Sequence, residues 1–407
     1  MVSSPQTPTE GRRRIPPGIW ALGFVSMLMD VSSEMIHALL PAYLVVSLGA
    51  SALAVGFIEG IAEATAAITK VFSGAISDWL GRRKLLAAIG YGLAAFTKPV
   101  FPLAQSVAWV FAARFVDRIG KGIRGAPRDA LIADLAPPEV RGAAFGLRQS
   151  LDTVGAFVGP LIAIALLLLT NENIRLVFWV AVIPAFAALA LIVFAVHDPP
   201  AQSATARPAR LPLSRAELRR LPVAYWWTVV VSAVFALARF SEAFLILRAQ
   251  ELGVAMTFIP AVLVLMNVVY SSSSYPVGVL ADRMNRGTLL ALGFAVLVVA
   301  DLILALVGGM VGIVLGVALW GLHMGMTQGL LATLVADAAP ASLRGTAFGV
   351  YNLVGGLALL AASAVAGWLW GAYGSEATFL TGAAFATIAL AGLLSLRAMR
   401  ARSAVSS

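Results

Sequence analysis

The chain has 407 residues, 60% of them hydrophobic and only 12% charged, with a mean hydropathy of +0.90. Soluble domains run at about 45–50% apolar and about 25% charged, so a soluble fold is excluded and the apolar surface belongs in a bilayer. A net charge of +9 and a pI near 10.3 raise the question of nucleic acid, which the placement of the cations answers below, and with no cysteine there is neither a disulfide nor a thiolate metal site.

In chain order, a polar stretch carrying Arg12, Arg13 and Arg14 precedes a long apolar run with no small-residue cleavage site, which reads as a retained helix. Continuous apolar runs of about 20 residues predict helices rather than strands. Twelve are predicted: 18–41, 53–77, 85–104, 107–134, 143–169, 174–196, 223–248, 257–280, 288–307, 310–336, 346–371 and 377–396. The expected organisation is a tail (1–17), a six-helix bundle (18–196), a polar linker (197–222), a second six-helix bundle (223–396) and a short tail (397–407). Within the linker, Ser214-Arg-Ala-Glu217 fits a capping box that opens a short amphipathic helix on the membrane surface.

Placing both termini in the cytoplasm gathers Arg12–Arg14, Arg82, Arg83, Lys84, Arg141, the linker arginines, Arg283, Arg286, Arg344 and Arg397 on one side, while the opposite loops hold little beyond Arg175. The basic balance is therefore topology, and nucleic acid is not a partner. The expected setting is a cell (inner) membrane, with the lipid bilayer, protons and a small molecule as partners and the monomer as the working unit.

The chain repeats itself. Residues 133–146 (ADLAPPEVRGAAFG) match 336–349 (ADAAPASLRGTAFG) at nine of fourteen positions, and 74–82 (GAISDWLGR) recurs as 278–286 (GVLADRMNR). The offsets are 203 and 204, so the two bundles are copies of one unit, the architecture of alternating-access carriers.

These residues also carry a family resemblance. Gly74, Asp78, Gly81, Arg82 and Arg83 resemble the cytoplasmic loop motif of the major facilitator superfamily, and Gly278, Asp282 and Arg286 resemble its degenerate second copy. Arg114 through Gly122 resembles the fourth-helix motif, with Asp117 and Arg118 where that motif has Gln and Gly. Gly155, Gly159 and Pro160 resemble the fifth-helix motif of its antiporters, although Ala163 stands where a further glycine is common. The resemblance implies an all-α membrane fold of two pseudo-symmetric bundles, a gate at the loop motif and a coupling role for Arg114. Physically, the loop's acid and arginines suit ion pairs that break and re-form between states, or fixed topology alone. The fifth-helix glycines suit close packing as well as a bend.

One stretch is energetically anomalous. Between Arg114 and Asp129 lie Asp117, Arg118, Lys121, Arg124 and Arg128, and all seven charges fall within a helical arc of about 140°. Facing lipid, each would cost about 2.5–3.5 kcal/mol and the set on the order of 20 kcal/mol, so this face looks into protein or water. At the repeat offset Arg114, Asp117, Lys121 and Arg128 correspond to Val317, Trp320, Met324 and Leu331, so fold symmetry does not require these charges. Ions or substrate do.

Other spans add to the set: Asp30 and Glu34 with His37 one turn on; Glu59 and Glu63 with Lys70; Arg148 and Asp152; Arg239, Glu242 and Arg248; and His323 and Gln328. We assign proton coupling to Asp30, Glu34 and Arg114. The cavity is assigned Glu59, Glu63, Asp117, Arg118, Lys121, Arg124, Arg148, Asp152, Arg239, Glu242, His323 and Gln328. Static pairing of Asp30 with Arg114 and Glu63 with Arg118 is the alternative, and Arg239 is placed to meet Asp30 or Glu34 across the pseudo-twofold axis. Lys98 and Asp301, on helices expected to lie outermost, read as structural. The expected function is proton-coupled antiport of a small anionic, zwitterionic or amphiphilic molecule. Its rivals are symport of a small organic anion, carriage of a metal or metal chelate at His323, Met324 and Met326 with Met27, Met29 and His37, and a receptor that transports nothing. No cofactor, metal or enzymatic site is expected.

Overall fold

The computed structural model describes residues 15–80, 82–137, 140–197, 218–340 and 343–405. Among these residues all regular structure is helical. In a bilayer the backbone can satisfy its own polar groups only within helices or closed barrels, and the long non-alternating apolar runs select helices.

The first span comprises Pro17–His37, Leu40–Ala42 and a π-helical turn, Tyr43–Ser47. The next five are Ala52–Leu80, Arg83–Leu103, Val107–Leu135, Arg141–Leu169 and Ile174–Ala195. The second half begins with Val223–Glu251 and continues with Met256–Ala281, Arg286–Leu306, Gly309–Ala338, Arg344–Tyr373 and Ser375–Val405. The last helix runs past the expected end at 396. Eleven of the twelve are apolar enough to cross a membrane on composition alone, and the remaining one is the fourth, with its charged stripe. The expected helix at 214–217 lies outside the described residues.

Four spans are interrupted where the sequence predicts continuous helices, the eighth only at its start, where a 3-10 turn at Met256–Phe258 precedes Ala261–Arg283. The third breaks at Lys98-Pro99, where proline has no N–H to donate. The first breaks at Ala38-Leu39 and the seventh at Arg239–Glu242. These two breaks lie at about the repeat offset, so they are one feature of the duplicated unit. At the seventh-span break, Arg239 occupies the C-cap position of Val223–Ala238 and Glu242 the N-cap position of Ala243–Glu251, without a side-chain capping bond from Glu242. Each charge therefore complements the dipole of the half-helix it terminates. The loosened backbone is bound locally, Ser241 N–H donating to Ser363 Oγ at 3.2 Å and Ala243 N–H to Ser241 Oγ at 3.2 Å.

The apolar core decides how the halves meet. Toward the face opposite the termini, one continuous cluster includes residues of both bundles, among them Leu40, Tyr43, Phe244, Ile246 and Met266. Toward the face that carries the termini the core splits. One cluster around Ile19, Leu22, Tyr91 and Ile132 belongs to the first half, and another around Tyr225, Val335 and Val350 belongs to the second. The bundles are joined at the far face and parted at the terminal face. At the seam the second and eleventh spans touch backbone to backbone, so a Cβ on Gly56 would collide with the Ser363 carbonyl. Within the first half, a Cβ on Gly155 or Gly159 would lie 2.6 Å from the Met27 carbonyl oxygen or 2.7 Å from that of Val31. These two glycines thus serve close packing of the fifth span on the first.

A charged wall facing an apolar half

The stripe of the fourth span is neutralised almost group by group. Arg114 donates to both carboxylate oxygens of Glu59 on the second span, at 3.1 and 2.7 Å, with both side chains buried. Such a bidentate fork is the strongest geometry available to these groups. His37 lies beside it, Nε2 3.7 Å from Glu59 and Nδ1 3.6 Å from Glu34. The expected Asp30–Arg114 pair does not form: Asp30 sits nearer the terminal face, and Glu59, on the adjacent helix, is the acid level with Arg114.

Arg118 pairs with Glu63 at 3.3 Å, as the static alternative has it, and approaches Asp117 at 4.0 Å. Asp117 binds Lys98 at 3.0 Å, and Lys98 also donates to Ser33 Oγ of the first span at 3.1 Å. Lys98 is therefore no isolated structural residue. The break at Pro99 brings it, almost fully buried, into the same network. Further along, Arg124 stacks on Tyr91 with 4.9 Å to the ring centroid, a cation–π contact. Arg128 pairs with Asp129 at 3.2 Å, and Arg148 bridges Asp152 at 3.1 Å and Asp129 at 3.5 Å.

Several charges of the site stand outside these pairs: Lys70, Lys121, Arg124, Asp30, Arg239 and Glu242 make no ion pair among the described residues. The charges that act most strongly on Asp30 are Asp152, Arg124, Lys121 and Arg128, a local cluster of both signs. Arg239 does not reach Asp30 or Glu34. It faces instead a seam cavity of about 230 Å³. Glu63 and Ala67 line one side of it, and Ser232, Arg239, Tyr351 and Asn352 line the other.

The opposing half is less charged and richer in aromatic packing. His323, assigned to the cavity from the sequence, is fully buried instead, packed against Trp320 and Phe235 with neither ring nitrogen hydrogen-bonded. Gln328 accepts from the Tyr270 hydroxyl at 3.0 Å. Asp301 is sealed without a partner. At the loop motif, Arg83 donates to the Asp134 carboxylate and to the Ala130 carbonyl at 3.2 Å, and Lys84 to the Val193 carbonyl at 2.8 Å. These bonds hold the third span to the fourth and sixth, all in one bundle. Gly81 and the side chains of Asp78 and Asp282 lie outside the described residues. Gly74 faces Ala126 of the fourth span, a Cβ there lying 3.5 Å away, while Gly278 faces open space.

Two helical bundles, fused at one face and parted at the other around a charged seam, define a polytopic membrane transport fold. The chain belongs to the major facilitator superfamily, whose sequence profile matches residues 22–363 and 249–406. An uncharacterized MFS-type transporter of Methanocaldococcus jannaschii is 32% identical over 400 residues, 96% of this chain and 97% of that one. A cis,cis-muconate transport protein of Acinetobacter baylyi is 23% identical, with 88% and 89% covered. Among solved structures the nucleoside transporter NupG superposes with a TM-score of 0.80 at 13% identity, covering 93% of this chain and 99% of that one. This is a likeness of fold.

Proposed function

We propose that the chain is an alternating-access secondary carrier that exports a small anionic, zwitterionic or amphiphilic molecule in exchange for protons. It would work as a monomer in a cell (inner) membrane with both termini in the cytoplasm. The observation that carries this reading is the asymmetric seam: a shared core at the far face, separate cores at the terminal face, and a cavity between them with Glu63 on one wall and Arg239 on the other. That arrangement is one end-state of a two-state machine, open toward the termini.

Asp30 is the favoured proton carrier. It makes no ion pair, whereas Glu34 is held by His37, and Glu59 and Glu63 by arginines. A carboxyl without a fixed partner changes its hold on a proton most when its surroundings change. The fork with Glu59 gives Arg114 the role of anchor for the charged wall rather than direct partner of the titrating acid. Exchange with protons rests on the antiporter-like Gly155, Gly159 and Pro160. Symport of a small organic anion is the second reading, supported by the unpaired Arg239 and by the muconate carrier among the relatives.

The test is flux through purified protein in proteoliposomes, with a panel of charged and neutral solutes and an imposed pH gradient of each sign. Gradient-driven flux that reverses with the gradient supports coupling. Flux unaltered by Asp30→Asn and by Glu34→Gln would remove the carboxylate assignment.

A further inference from the structure

The charges of the seam are not equally available to a ligand. On the first-half wall of the cavity Glu63 is committed to Arg118 at 3.3 Å, so that wall presents a neutralised pair. On the opposite wall the Arg239 guanidinium has no acid within ion-pairing range and no hydrogen-bond partner among the described residues, so its five N–H donors are unspent. Two turns earlier on the same face of the seventh span, Ser232 lines the same cavity; its side chain is 7% exposed and its Oγ is buried without a partner. Asn352 of the eleventh span completes the polar patch, and the surrounding lining, including Val229, Phe235, Leu331 and Leu359, is apolar.

We infer that Arg239, Ser232 and Asn352 form a carboxylate-binding subsite, and that the transported solute is a small organic monoanion with an apolar or aromatic body. This rests on the carrier reading above and narrows its solute. A planar guanidinium matches a carboxylate with two parallel hydrogen bonds, and the seryl and amide groups satisfy what remains. The aliphatic and aromatic walls take the body of the solute.

The same geometry gives the solute a part in the cycle. Closing the terminal face over an empty cavity would strip water from an unpaired guanidinium, which is costly. A bound carboxylate supplies the missing counter-charge, so the occluded state forms with the anion aboard. That difference in interaction between open and closed states is what a ligand needs in order to move the equilibrium. It also disfavours slippage of the empty carrier.

The experiment is equilibrium binding to the purified full chain in detergent, using three probes of one shape: 1-naphthoate, 1-naphthamide and 1-naphthylmethylammonium. Naphthoate is expected to bind, with the amide and the ammonium at least about tenfold weaker. Arg239→Gln is expected to lose about ten- to a hundredfold in naphthoate affinity, Arg239→Lys less, and Ser232→Ala about three- to tenfold. Tighter binding of the ammonium, equal binding of all three, no binding of naphthoate, or unchanged naphthoate affinity in a folded Arg239→Gln overturns the proposal. Should Arg239→Gln fail to fold, Ser232→Ala and Asn352→Ala carry the same prediction. The carrier reading is tested separately by spin-label distances across the terminal face, so a carrier of cations would register as a moving seam with the wrong probe bound. The absence of native cysteine makes that labelling direct.

Discussion

Glu172, at the far-face end of the first bundle, accepts two hydrogen bonds from Thr257 of the second bundle, from its hydroxyl at 2.6 Å and its N–H at 3.2 Å. Asn171 and Glu172 both hold left-handed backbone angles, with φ of 51° and 62°, a costly conformation for side-chain-bearing residues that the contact helps to hold. On the proposed alternating-access cycle the pair acts as a latch across the seam, which must open when the far face opens. Glu172→Ala is expected to weaken the far-face closure by about 1 kcal/mol, a roughly fivefold shift toward the opposite state. Spin-label pairs spanning the far face would show a larger long-distance population, and an unchanged distribution would mean the latch contributes nothing.

Glu59→Gln leaves Arg114 buried opposite a neutral amide. Breaking one side of a buried ion pair costs about 3–5 kcal/mol, whereas replacing both partners with apolar residues of similar size is often nearly neutral. Thermal unfolding in detergent is expected to show a large loss for Glu59→Gln and recovery in Glu59→Leu/Arg114→Met. A Glu59→Gln protein as stable as the parent would contradict the fork.

Gly159→Ala sets a methyl group against the Val31 carbonyl, with the backbone of the first span as the obstacle. Overpacking of this kind costs about 1–3 kcal/mol. Lower thermal stability is expected from Gly159→Ala and little change from Gly278→Ala, which meets open space. Equal stability in the two variants would argue against tight first-to-fifth packing.

Asp30→Asn is expected to retain solute binding while losing acceleration by a pH gradient. Glu63→Gln is expected to disturb binding, because it frees Arg118 beside the cavity. Counterflow separates the two effects, since solute exchange without net proton movement should survive Asp30→Asn. Loss of counterflow in that variant would make Asp30 a binding residue instead.

Much of the architecture was legible because the bilayer enforces it. Spans follow from unbroken apolar runs, and the duplicated motifs located the second half. The charged stripe was legible as a face, and Glu63–Arg118 as a pair, because helical periodicity fixes direction around an axis. It fixes height across neighbouring helices poorly. Arg114 therefore meets Glu59 rather than Asp30, and nothing in the periodicity sets His37 between two acids. The seventh-span break left no signal, since Arg239-Phe-Ser-Glu242 contains neither glycine nor proline. Its cause is tertiary, in Ser363 on another helix and in charges placed at half-helix ends. The partners of Lys98 were not legible for a related reason: the break at Pro99 sets where the lysine points, and the apolar run 85–104 reads as continuous.

The matched breaks in the first and seventh spans bear on what moves. Their outer segments, including Leu40 and Leu44 in one span and Phe244 and Ile246 in the other, sit in the core shared by both bundles. The inner ends, at Ile19 and Leu22 and at Tyr225 and Val229, belong to separate cores. A helix already interrupted can pivot there by rotating a few backbone dihedrals, with its hydrogen-bond ladder intact on either side. The first and seventh helices are thus jointed rods, one with its elbow beside His37 and the other with its elbow at Arg239.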